Sequence, residues 1–515
     1  MKNEQMFKLV FSALVSMFAA VAITTAVAET RLHADAGGTD PATGERAATW
    51  EATLRADLGR MTQNLTASLK PWPVPAGRFL AEDYGAKADG KTDNTASVQK
   101  AVDACAAAGG GAVLLTKGAY VIDAIHLKSG VMLEVGKNAV LEDIYAIPNL
   151  SQTKAKVLVL ADHCNHVGIR GLGELVGPGP DGHFNDRNAK GTARRRLFGF
   201  MKCTQVVVDG IHVRNNGPAW SDFTECDDVI IQGINVENQA CRFNDGLDIC
   251  GCRNVIVRDC FVNSEDDGCC FKENSNRSME NVLVENCKFY STCSALKLGT
   301  ASKGGFRNVV VRNVEVGGPS ADMPAIDRRL AIAGISWESV DGGVVENILC
   351  SQVHIVRTES PLYLRLGHRD RSKGVGAIRR VIFDHVSGKD NGIRGSIFTG
   401  IPGAAIEDVI VRDATILVSG GGEAQKPKGE MEDSYPDAWI FGRQSPAYGF
   451  WLRHAHNIAF FNVAVTPQKS DARRAYGLDA DVSNATLDGK DLSDSLNRTD
   501  NGLITAPASQ TNSSQ

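Results

Sequence analysis

The sequence predicts an all-β fold, a parallel β-helix with one capping helix near its N-terminus. A ten-residue pattern, for example "RNVIVRDCFV" from Arg253 and "ENVLVENCKF" from Glu280, recurs along the chain. Each copy holds two short runs of alternating, mostly β-branched apolar residues around a polar or glycine turn, which is typical of strands. No helical pattern separates the copies, so a doubly wound α/β sheet is excluded. The copies begin at residues 204, 227, 253, 280, 307, 346, 407 and 456.

A third short strand belongs to each repeat, as in "GLDIC", "GCCFK", "ALKLG" and "GISWE". Three strands in every 25 to 30 residues suit a solenoid, in which each coil buries its apolar face only by stacking on its neighbours. A β-propeller is the structural alternative, although its blades need four antiparallel strands in roughly forty residues. The repeat length therefore favours the parallel β-helix.

One helix is expected ahead of the repeats, in "DGKTDNTASVQKAVDACAAAGGG". Asp93, Asn94 and Thr95 give a helix start signal, apolar residues follow at helical spacing, and glycines end the pattern. Such a helix would cover the open end of the coil stack, where backbone groups otherwise lack partners.

The chain divides into four predicted segments. Residues 1–28 combine two lysines, a long apolar stretch and small residues at its end, which is typical of a secretory signal peptide. Residues 29–75 form a leader with one amphipathic helix around residues 48–69, residues 76–485 form the β-helix, and the polar residues 486–515 form a disordered tail. We expect a secreted or periplasmic protein with no membrane partner after signal cleavage; an uncleaved anchor is the alternative.

Composition excludes several classes of function. The 515 residues are 43% apolar and 22% charged, which is ordinary for a globular protein and excludes disorder of the whole chain. The net charge is -5 without a long run of Lys or Arg, so we expect no nucleic-acid partner. The thirteen cysteines lack zinc-site spacing and recur within the strand repeats, so we interpret most of them as core residues and expect no metal and no cofactor. The oligomeric state stays open.

Three carboxylates mark the predicted functional site: Asp245 in "NDG", and Asp266 with Asp267 in "EDDG". Adjacent coils lie about 4.8 Å apart, so residues one coil apart become close neighbours. Like charges at that distance raise at least one pKa, which gives a general acid beside a general base. Each aspartate alone would read as a turn residue before glycine, but the three together indicate hydrolytic chemistry.

Four stretches carry a family resemblance: "DYGAKADGKTDNTASVQKAVDAC", "GPAWSDFTECDDVIIQGINVEN", "NDGLD" and "EDDGCCFK". Their order resembles the polygalacturonase family, glycoside hydrolase family 28, and the similarity runs from about Phe79 to about Leu478. The resemblance implies a right-handed parallel β-helix and an inverting hydrolase that acts on pectic polysaccharides without a metal. It implies that Asp266 is the general acid and that Asp245 and Asp267 activate water.

The resemblance also implies that Asp248 supports the substrate site, but two family motifs are altered. Where the family has Gly-His-Gly, this chain reads "STCSALKLGT", with Cys293 and Ser294 in place of the histidine. Where the family has Arg-Ile-Lys, which grips a substrate carboxylate, this chain reads "GISWES", with Ser336 and Glu338. An acidic Glu338 at that place would repel galacturonate, so we expect an altered substrate grip.

Other side chains are expected to replace that grip. Strand alternation turns Lys297, Tyr363 and Arg365 outward on one floor, with Arg453 further along. An aromatic ring and several donors form a plausible sugar-binding strip, although outward charges on strands are more often solvated. The segments "SPLYLRLGHR" and "SPAYGFWLRH" resemble a bacterial polygalacturonase-like subgroup. The predicted substrate contacts are Asp248, Lys297, Glu338, Tyr363 and Arg365.

These features predict a glycoside hydrolase that acts on a pectic or related acidic polysaccharide or oligosaccharide. Two alternatives stay open. A polysaccharide lyase on the same β-helix would need a Lys or Arg base, commonly assisted by calcium, and a carbohydrate-binding β-helix without activity would need neither.

Overall fold

A computed structural model of the chain describes residues 41–144, 155–178, 195–216, 222–326, 329–479 and 481–493, with two short strands after them. The predicted signal peptide and the first part of the leader lie outside the described residues, as does most of the predicted tail. The described part from residue 42 onward forms one compact unit.

All of the described strands, numbered β1 to β35 in chain order, belong to two long sheets. Sheet 1 holds the paired strands of the ten-residue repeats, and its coils are joined in parallel. Its strands are β1 (Arg78–Leu80), β2 (Asp89–Asp93), β3 (Gly111–Ile122), β5 (Val131–Asp143), β7 (Asn165–Gly171), β8 (Glu174–Val176), β10 (Thr204–Asp209), β11 (His212–Arg214), β13 (Asp227–Gln232), β14 (Asn235–Asn238), β16 (Arg253–Arg258), β17 (Phe261–Ser264), β19 (Met279–Glu285), β20 (Lys288–Ser291), β22 (Phe306–Gly317), β24 (Val344–Val356), β26 (Ala377–Asn391), β28 (Ile406–Gly420), β30 (Ala455–Lys469), β32 (Ser483–Leu487) and β33 (Lys490–Asp491).

Sheet 2 holds the third strand of each repeat. Its strands pair in parallel as far as β31, and β35 then pairs antiparallel with β31 and β34. Its strands are β4 (Ile125–His126), β6 (Val157–Asp162), β9 (Arg196–Met201), β12 (Phe223–Thr224), β15 (Leu247–Cys250), β18 (Cys269–Glu273), β21 (Ser294–Ser302), β23 (Ala331–Ser339), β25 (Thr358–Leu366), β27 (Ser396–Thr399), β29 (Ala447–Arg453), β31 (Arg474–Leu478), β34 (Asn497–Arg498) and β35 (Ile504–Thr505).

The repeats found in the sequence become consecutive rungs of sheet 1. Thr204 pairs with Asp227, Asp227 with Arg253, Arg253 with Glu280 and Glu280 with Arg307, so that the starts of the copies stack directly. The inward residues of both sheets form one continuous apolar core. The all-β fold and the parallel stacking predicted from the repeats are confirmed, and the antiparallel blades of a propeller are absent from the described coils.

Within the described residues, two α-helices accompany the coils, together with short 3-10 helices at Ala81–Tyr84 and Ala438–Phe441. Helix α2 (Thr95–Ala107) buries Val98, Val102 and Cys105 in the main core and packs on the first coils, as the start and stop signals predict. Helix α1 (Pro41–Ser68) lies instead along the outer face of sheet 1.

Helix α1 explains why the repeats contain three consecutive apolar residues. A strand with one face in water would instead alternate apolar and polar residues. Its Leu54, Leu58 and Leu65 share one buried cluster with the outward residues Val207, Ile230, Ile256, Leu283 and Val310. The middle residue of each apolar run is therefore covered by the helix, while its two neighbours enter the core between the sheets.

Asparagines fix the same corner in successive coils. Asn254, Asn281, Asn308 and Asn347 adopt left-handed backbone with φ between 55 and 60°. Asparagine tolerates this conformation better than most residues. Each amide after the first donates to the asparagine of the preceding coil, at 3.0, 3.1 and 3.1 Å. This ladder holds the coils in register, and the register in turn positions the outward residues of sheet 2.

No disulfide joins the thirteen cysteines, all of which lie in the described residues, and all except Cys293 are buried, as expected for core residues. In the described part of the chain, no helix is both long enough and apolar enough to cross a membrane.

Candidate active site

The three aspartates lie in two adjacent coils, directly before strands of sheet 2. Asp245 precedes β15, Asp266 and Asp267 precede β18, and these two strands pair in parallel. The following glycines let the coils approach each other. A Cβ on Gly246 would lie 2.4 Å from the carbonyl oxygen of Gly268, so no larger residue fits there. The "DG" pairs read as turns in the sequence therefore also bring the carboxylates together.

A single backbone N–H links the three aspartates. The N–H of Asp267 donates to Asp245 Oδ1 at 3.1 Å and to its neighbour Asp266 Oδ1 at 3.0 Å. Carboxylate oxygens of Asp266 and Asp267 also lie within 4.8 Å of each other and of Cys293 Sγ. The structure thus places Asp245, Asp266 and Asp267 at one point of the outer face of sheet 2. Asp266 is the most exposed of the three.

Lys272 is a site residue that the sequence prediction missed. Its Nζ lies 2.8 Å from Asp245 Oδ2 and 2.8 Å from Asp248 Oδ1. The signal was present in the sequence, because "GCCFK" places Lys272 on the same side of its strand as Cys270, which pairs with Asp248. Burial lowers the pKa of Lys272, but the two carboxylates outweigh burial and hold that pKa well above its usual value.

Asp248 lies in the floor beneath Asp245 and is buried, with 1% of its surface exposed. Burial, followed by the charge of Asp245, raises the pKa of Asp248 well above its usual value, against the opposing effect of Lys272. Its backbone N–H donates to Asp222 Oδ2 at 3.0 Å, and burial raises the pKa of Asp222 to about 6. Asp248 is placed to hold Lys272 rather than to contact a ligand.

Lys297 reaches the carboxylates from the next coil, but it is buried there and does not line the open sugar-binding strip that was predicted. Its Nζ lies 3.2 Å from Asp267 Oδ2 and 3.8 Å from Glu338 Oε1. Glu338 also accepts hydrogen bonds from Ser336 Oγ at 2.7 Å and Thr300 Oγ1 at 3.0 Å. Burial raises the pKa of Glu338 to about 7, although Lys297 opposes the shift. Lys297 and Glu338 are both fully buried, so Glu338 is a partner of Lys297 and not part of the open surface.

The electrostatics of the site separate the protonation states of two neighbouring carboxyls. Burial, then the charges of Asp245 and Asp267, raise the pKa of Asp266 to about 8. Burial also acts to raise the pKa of Asp267, but Lys297 and Lys272 together outweigh it and lower that pKa. Near neutral pH a protonated Asp266 therefore stands beside an ionised Asp267. This arrangement can donate one proton while it accepts another.

The backbone supplies a further donor to Asp267 where the family motif is altered. The N–H of Ser294 donates to Asp267 Oδ1 at 3.2 Å. The neighbouring Cys293 is partly exposed beside Asp266 and Asp267, and burial is the main cause that raises its thiol pKa well above the usual value. A protonated thiol is a poor nucleophile, so Cys293 is unsuited to nucleophilic attack.

Two groups of side chains in the described part of the chain have the spacing of metal ligands. One is Asp266, Asp267 and Cys293, and the other is Asp384, His385 and Asp413. In the first group Lys297 and the backbone N–H groups already serve Asp267 as positive partners. The expectation of no metal and no cofactor stays a prediction.

Tyr363 and Arg365 point outward, as predicted, but they do not line an open surface. Both are 1% exposed because residues 421–446 cross over them. Tyr363 packs with Phe441 of that segment, and Arg365 Nη2 donates to the carbonyl oxygen of Met431 at 2.7 Å. Tyr363 and Arg365 of the predicted sugar-binding strip therefore anchor residues 421–446 instead of lining an open surface. Alternation along a strand gave the orientation of these side chains, but not the segment above them.

Arg453, which the sequence placed further along the same floor, has the same role. Its Nη1 donates to the carbonyl oxygen of Lys428 at 2.8 Å and lies 3.4 Å from Glu430 Oε1. Its Nε bonds Asp479. The outward arginines of this floor therefore bind residues 421–446 through carbonyl and carboxylate oxygens.

Tyr435, on that segment, is an aromatic residue that reaches the floor beside Lys297, and no sequence pattern predicted its position. It is 54% exposed, and its ring centroid lies 5.7 Å from Lys297 Nζ and 6.0 Å from Arg369 Cζ. Arg369 also makes a two-pronged pair with Asp341, at 2.9 and 2.6 Å. Tyr435 presents an open ring next to the carboxylates, which suits stacking on a sugar.

Residues 105–361 match the protein-family model described as "Glycosyl hydrolases family 28". The matched region contains Asp245, Asp248, Asp266, Asp267, Lys297 and Glu338. A separate stretch of similarity is short: 42 residues are 56% identical to alginate lyase 7 of Azotobacter vinelandii. This match covers only 8% of this chain and 5% of the length of that protein.

Solved structures with the same fold include three polygalacturonases. The exopolygalacturonase of Thermotoga maritima has a TM-score of 0.63 at 20% identity, covering 79% of this chain and 96% of that chain. The family 28 exopolygalacturonase of Yersinia enterocolitica has a TM-score of 0.59 at 16% identity, with coverages of 81% and 79%. The polygalacturonase of Erwinia carotovora ssp. carotovora has a TM-score of 0.51 at 17% identity, with coverages of 82% and 98%. At these identities the similarity establishes the fold.

Proposed function

The chain belongs to the glycosyl hydrolases family 28, and from this premise we propose that it hydrolyses glycosidic bonds in a pectic or related acidic polysaccharide or oligosaccharide. The single observation that carries the proposal is the cluster of Asp245, Asp266 and Asp267 around one N–H group, with protonated Asp266 beside ionised Asp267. A right-handed coil and a polysaccharide partner complete the proposal, by analogy with the family.

In this mechanism Asp266 is the general acid. Its carboxyl proton passes to the glycosidic oxygen as the bond from that oxygen to the anomeric carbon breaks, and the leaving sugar departs as an alcohol. The raised pKa of Asp266 supports this role, because the group keeps its proton at neutral pH. Its partial exposure supports it as well, since a donor must reach the substrate.

Asp245 and Asp267 orient and deprotonate the water that attacks the anomeric carbon. Lys272 and Lys297 lie against Asp245 and Asp267, and each of these two carboxylates accepts a backbone N–H bond that fixes one oxygen. The water oxygen forms the new bond, and its proton passes to one of these two aspartates. Single displacement with inversion is proposed from family membership.

The configuration of the product tests inversion, because the carboxyl spacing does not by itself support it. Oxygens of Asp266 and Asp267 lie within 4.8 Å, which is shorter than the roughly 6.5–9.5 Å usual between the carboxyl groups of inverting glycosidases. Proton NMR of the first product formed will show its anomeric configuration. We expect the configuration opposite to that of the substrate, and retention would contradict single displacement.

Attack at chain ends is favoured over internal attack. Residues 421–446 cover the outer face of sheet 2 beyond Lys297, so a substrate chain that extends from the carboxylates in that direction meets this segment. Two of the similar structures are named exopolygalacturonases. Terminal attack releases short products while the viscosity of the polymer hardly changes.

A polysaccharide lyase is the alternative function, and the protonation of Lys272 and Lys297 argues against it. Lys272 and Lys297 touch the carboxylates, and both have a pKa well above the usual value, so neither is a neutral base at neutral pH. A lyase would release an unsaturated product that absorbs ultraviolet light. We expect the protein to release reducing ends without such absorbance from pectic polysaccharides, including polygalacturonate and rhamnogalacturonan. Binding of these polysaccharides without any product would indicate a non-catalytic β-helix.

Secretion belongs to the proposal too. The lysines and long apolar stretch within residues 1–28 support export to the periplasm or the medium. N-terminal sequencing of protein from fractionated cells will test this, since export with cleavage moves the first residue to about position 29. An intact N-terminus in the cytoplasmic fraction would contradict it.

A further inference from the structure

Residues 421–446 border a pocket that Tyr435 does not line. This pocket has a volume of about 1080 Å³, and we call it the Trp439 pocket. It lies where the ends of sheet 1 strands meet the starts of sheet 2 strands. The lining residues that matter here are Glu359, Asp390, Arg394, Trp439, Arg443 and Lys469.

Trp439 presents an indole ring to this pocket. The residue is 44% exposed, although tryptophan is usually well buried. Its Nε1 donates to Glu359 Oε2 at 2.6 Å, which fixes the orientation of the ring. Arg394 is 3% exposed, bonds the same carboxylate and donates from Nε to the carbonyl oxygen of Gly442 at 2.9 Å. The ring is therefore a rigid exposed platform on a buried polar support.

The charges of the pocket differ from those around the catalytic aspartates. At the aspartates, Lys272 and Lys297 are each bound to two protein carboxylates. In the pocket, Arg394 neutralises Glu359, while Arg443 and Lys469 are exposed and lie beyond ion-pair distance of every carboxylate in the described residues. Asp390 is the remaining carboxylate of the lining, so the two cations leave a net positive charge.

We propose that the Trp439 pocket is a second carbohydrate-binding site, which holds a uronate-containing segment of an acidic polysaccharide outside the catalytic cleft. An exposed indole stacks on the apolar face of a sugar ring, and unpaired Arg and Lys side chains bind the sugar carboxylate. The choice of an acidic chain rests on the proposed function, since the same polymer would then reach the cleft and the pocket from the two sides of residues 421–446.

Calorimetry with a defined oligogalacturonide tests this site in the full chain. Asp266→Asn serves as the background, so that hydrolysis does not remove the probe. The double charge reversal Arg443→Glu and Lys469→Glu is expected to remove one binding site per chain, or to weaken it at least about tenfold. Trp439→Ala is expected to do the same, and a neutral galactan oligosaccharide of equal length is expected to bind the pocket weakly in every variant.

Lys426→Glu is the matched control, because Lys426 is an exposed lysine of the same segment that does not line the pocket. It should leave binding unchanged, and thermal unfolding of each variant confirms that it is folded. An unchanged affinity in the double reversal, or an equal loss in Lys426→Glu, would overturn the proposal. If instead the hydrolase assignment fails, the wild-type chain releases no product from the oligogalacturonide while the pocket variants still lose their binding site, so the two failures are distinguishable.

Discussion

The outer face of sheet 2 is built by the same rule in its two halves, yet only one half is open. In β15, β18 and β21 the outward side chains surround Asp266 at a partly exposed site. In β25 and β29 the outward side chains Tyr363, Arg365 and Arg453 lie under residues 421–446. Strand alternation decides which way a side chain points, and a segment distant in sequence decides whether it meets solvent.

The cationic side chains of the two halves have different roles. Lys272 and Lys297 face carboxylates and set their protonation, whereas Arg365 and Arg453 face carbonyl oxygens and hold a covering segment in place. An ammonium group beside a carboxylate shifts its pKa, while a guanidinium can bridge several oxygens in fixed directions. The comparison predicts that substitutions in the first half change the chemistry, and that those in the second half change which bond is cut.

The largest effect is expected from Asp266→Asn. An amide keeps the shape but has no acidic proton, so kcat should fall by about 10³- to 10⁴-fold. Release of reducing ends from a pectic substrate measures the change. Asp259→Asn is the matched control, because Asp259 is an exposed turn aspartate in the neighbouring part of the coil. Undiminished hydrolysis in Asp266→Asn would remove the mechanism.

Lys272→Met is expected to reduce both stability and activity. The change leaves Asp245 and Asp248 buried without their cation, and removing one partner of a buried ion pair typically costs about 3–5 kcal/mol. Denaturant unfolding measures the free energy, with Lys288→Met, an exposed lysine on β20, as the control. If both variants lost the same stability, Lys272 would not be the cation that sustains the site.

The pH profile follows from Asp266. Its pKa is about 8, so the proton needed for catalysis is present below that pH and is lost above it. We expect kcat/KM to fall about tenfold per pH unit above 8, and to be retained on the acid side until Asp267, whose pKa is lowered, takes up a proton. The residual rate of Asp266→Asn should lack the alkaline limb; a limb that persists would belong to another group.

The smallest effect on the chemistry is expected from Arg365→Met. Loss of the hydrogen bonds to Met431 and Thr399 should cost about 1–3 kcal/mol and loosen residues 421–446. The groove would then accept internal bonds, so viscosity should fall faster per reducing end released, while kcat changes little. Arg307→Met, at a half-exposed arginine on β22, is the control. An unchanged ratio of viscosity loss to product would show that residues 421–446 do not direct attack to chain ends.

Much of the fold could be predicted because it is local and repeated. The apolar runs, the asparagine corners and the glycines after Asp245 and Asp267 recur at coil spacing, and stacking then places residues one coil apart side by side. The cluster of carboxylates follows from that spacing alone. The same reasoning should have included Lys272, which has the strand position that turns a side chain outward.

The covering elements could not be predicted in the same way. Helix α1 was expected, but its docking on sheet 1 depends on contacts with Val207, Ile230 and their counterparts across many coils. Residues 421–446 have no repeat and no strand pattern, so nothing in their sequence says which face they cover. The exposure of Tyr435 and the burial of Tyr363 both follow from that one placement.

The central claim is that Asp266 gives its proton to the leaving sugar, and the dependence on the leaving group tests it most directly. A dinitrophenyl galacturonide has a leaving group that departs without a proton, whereas the natural substrate needs one. The account predicts that Asp266→Asn is strongly impaired on the natural substrate and nearly as active as the wild type on the dinitrophenyl substrate. Equal losses on both substrates would contradict the role of Asp266 as the general acid.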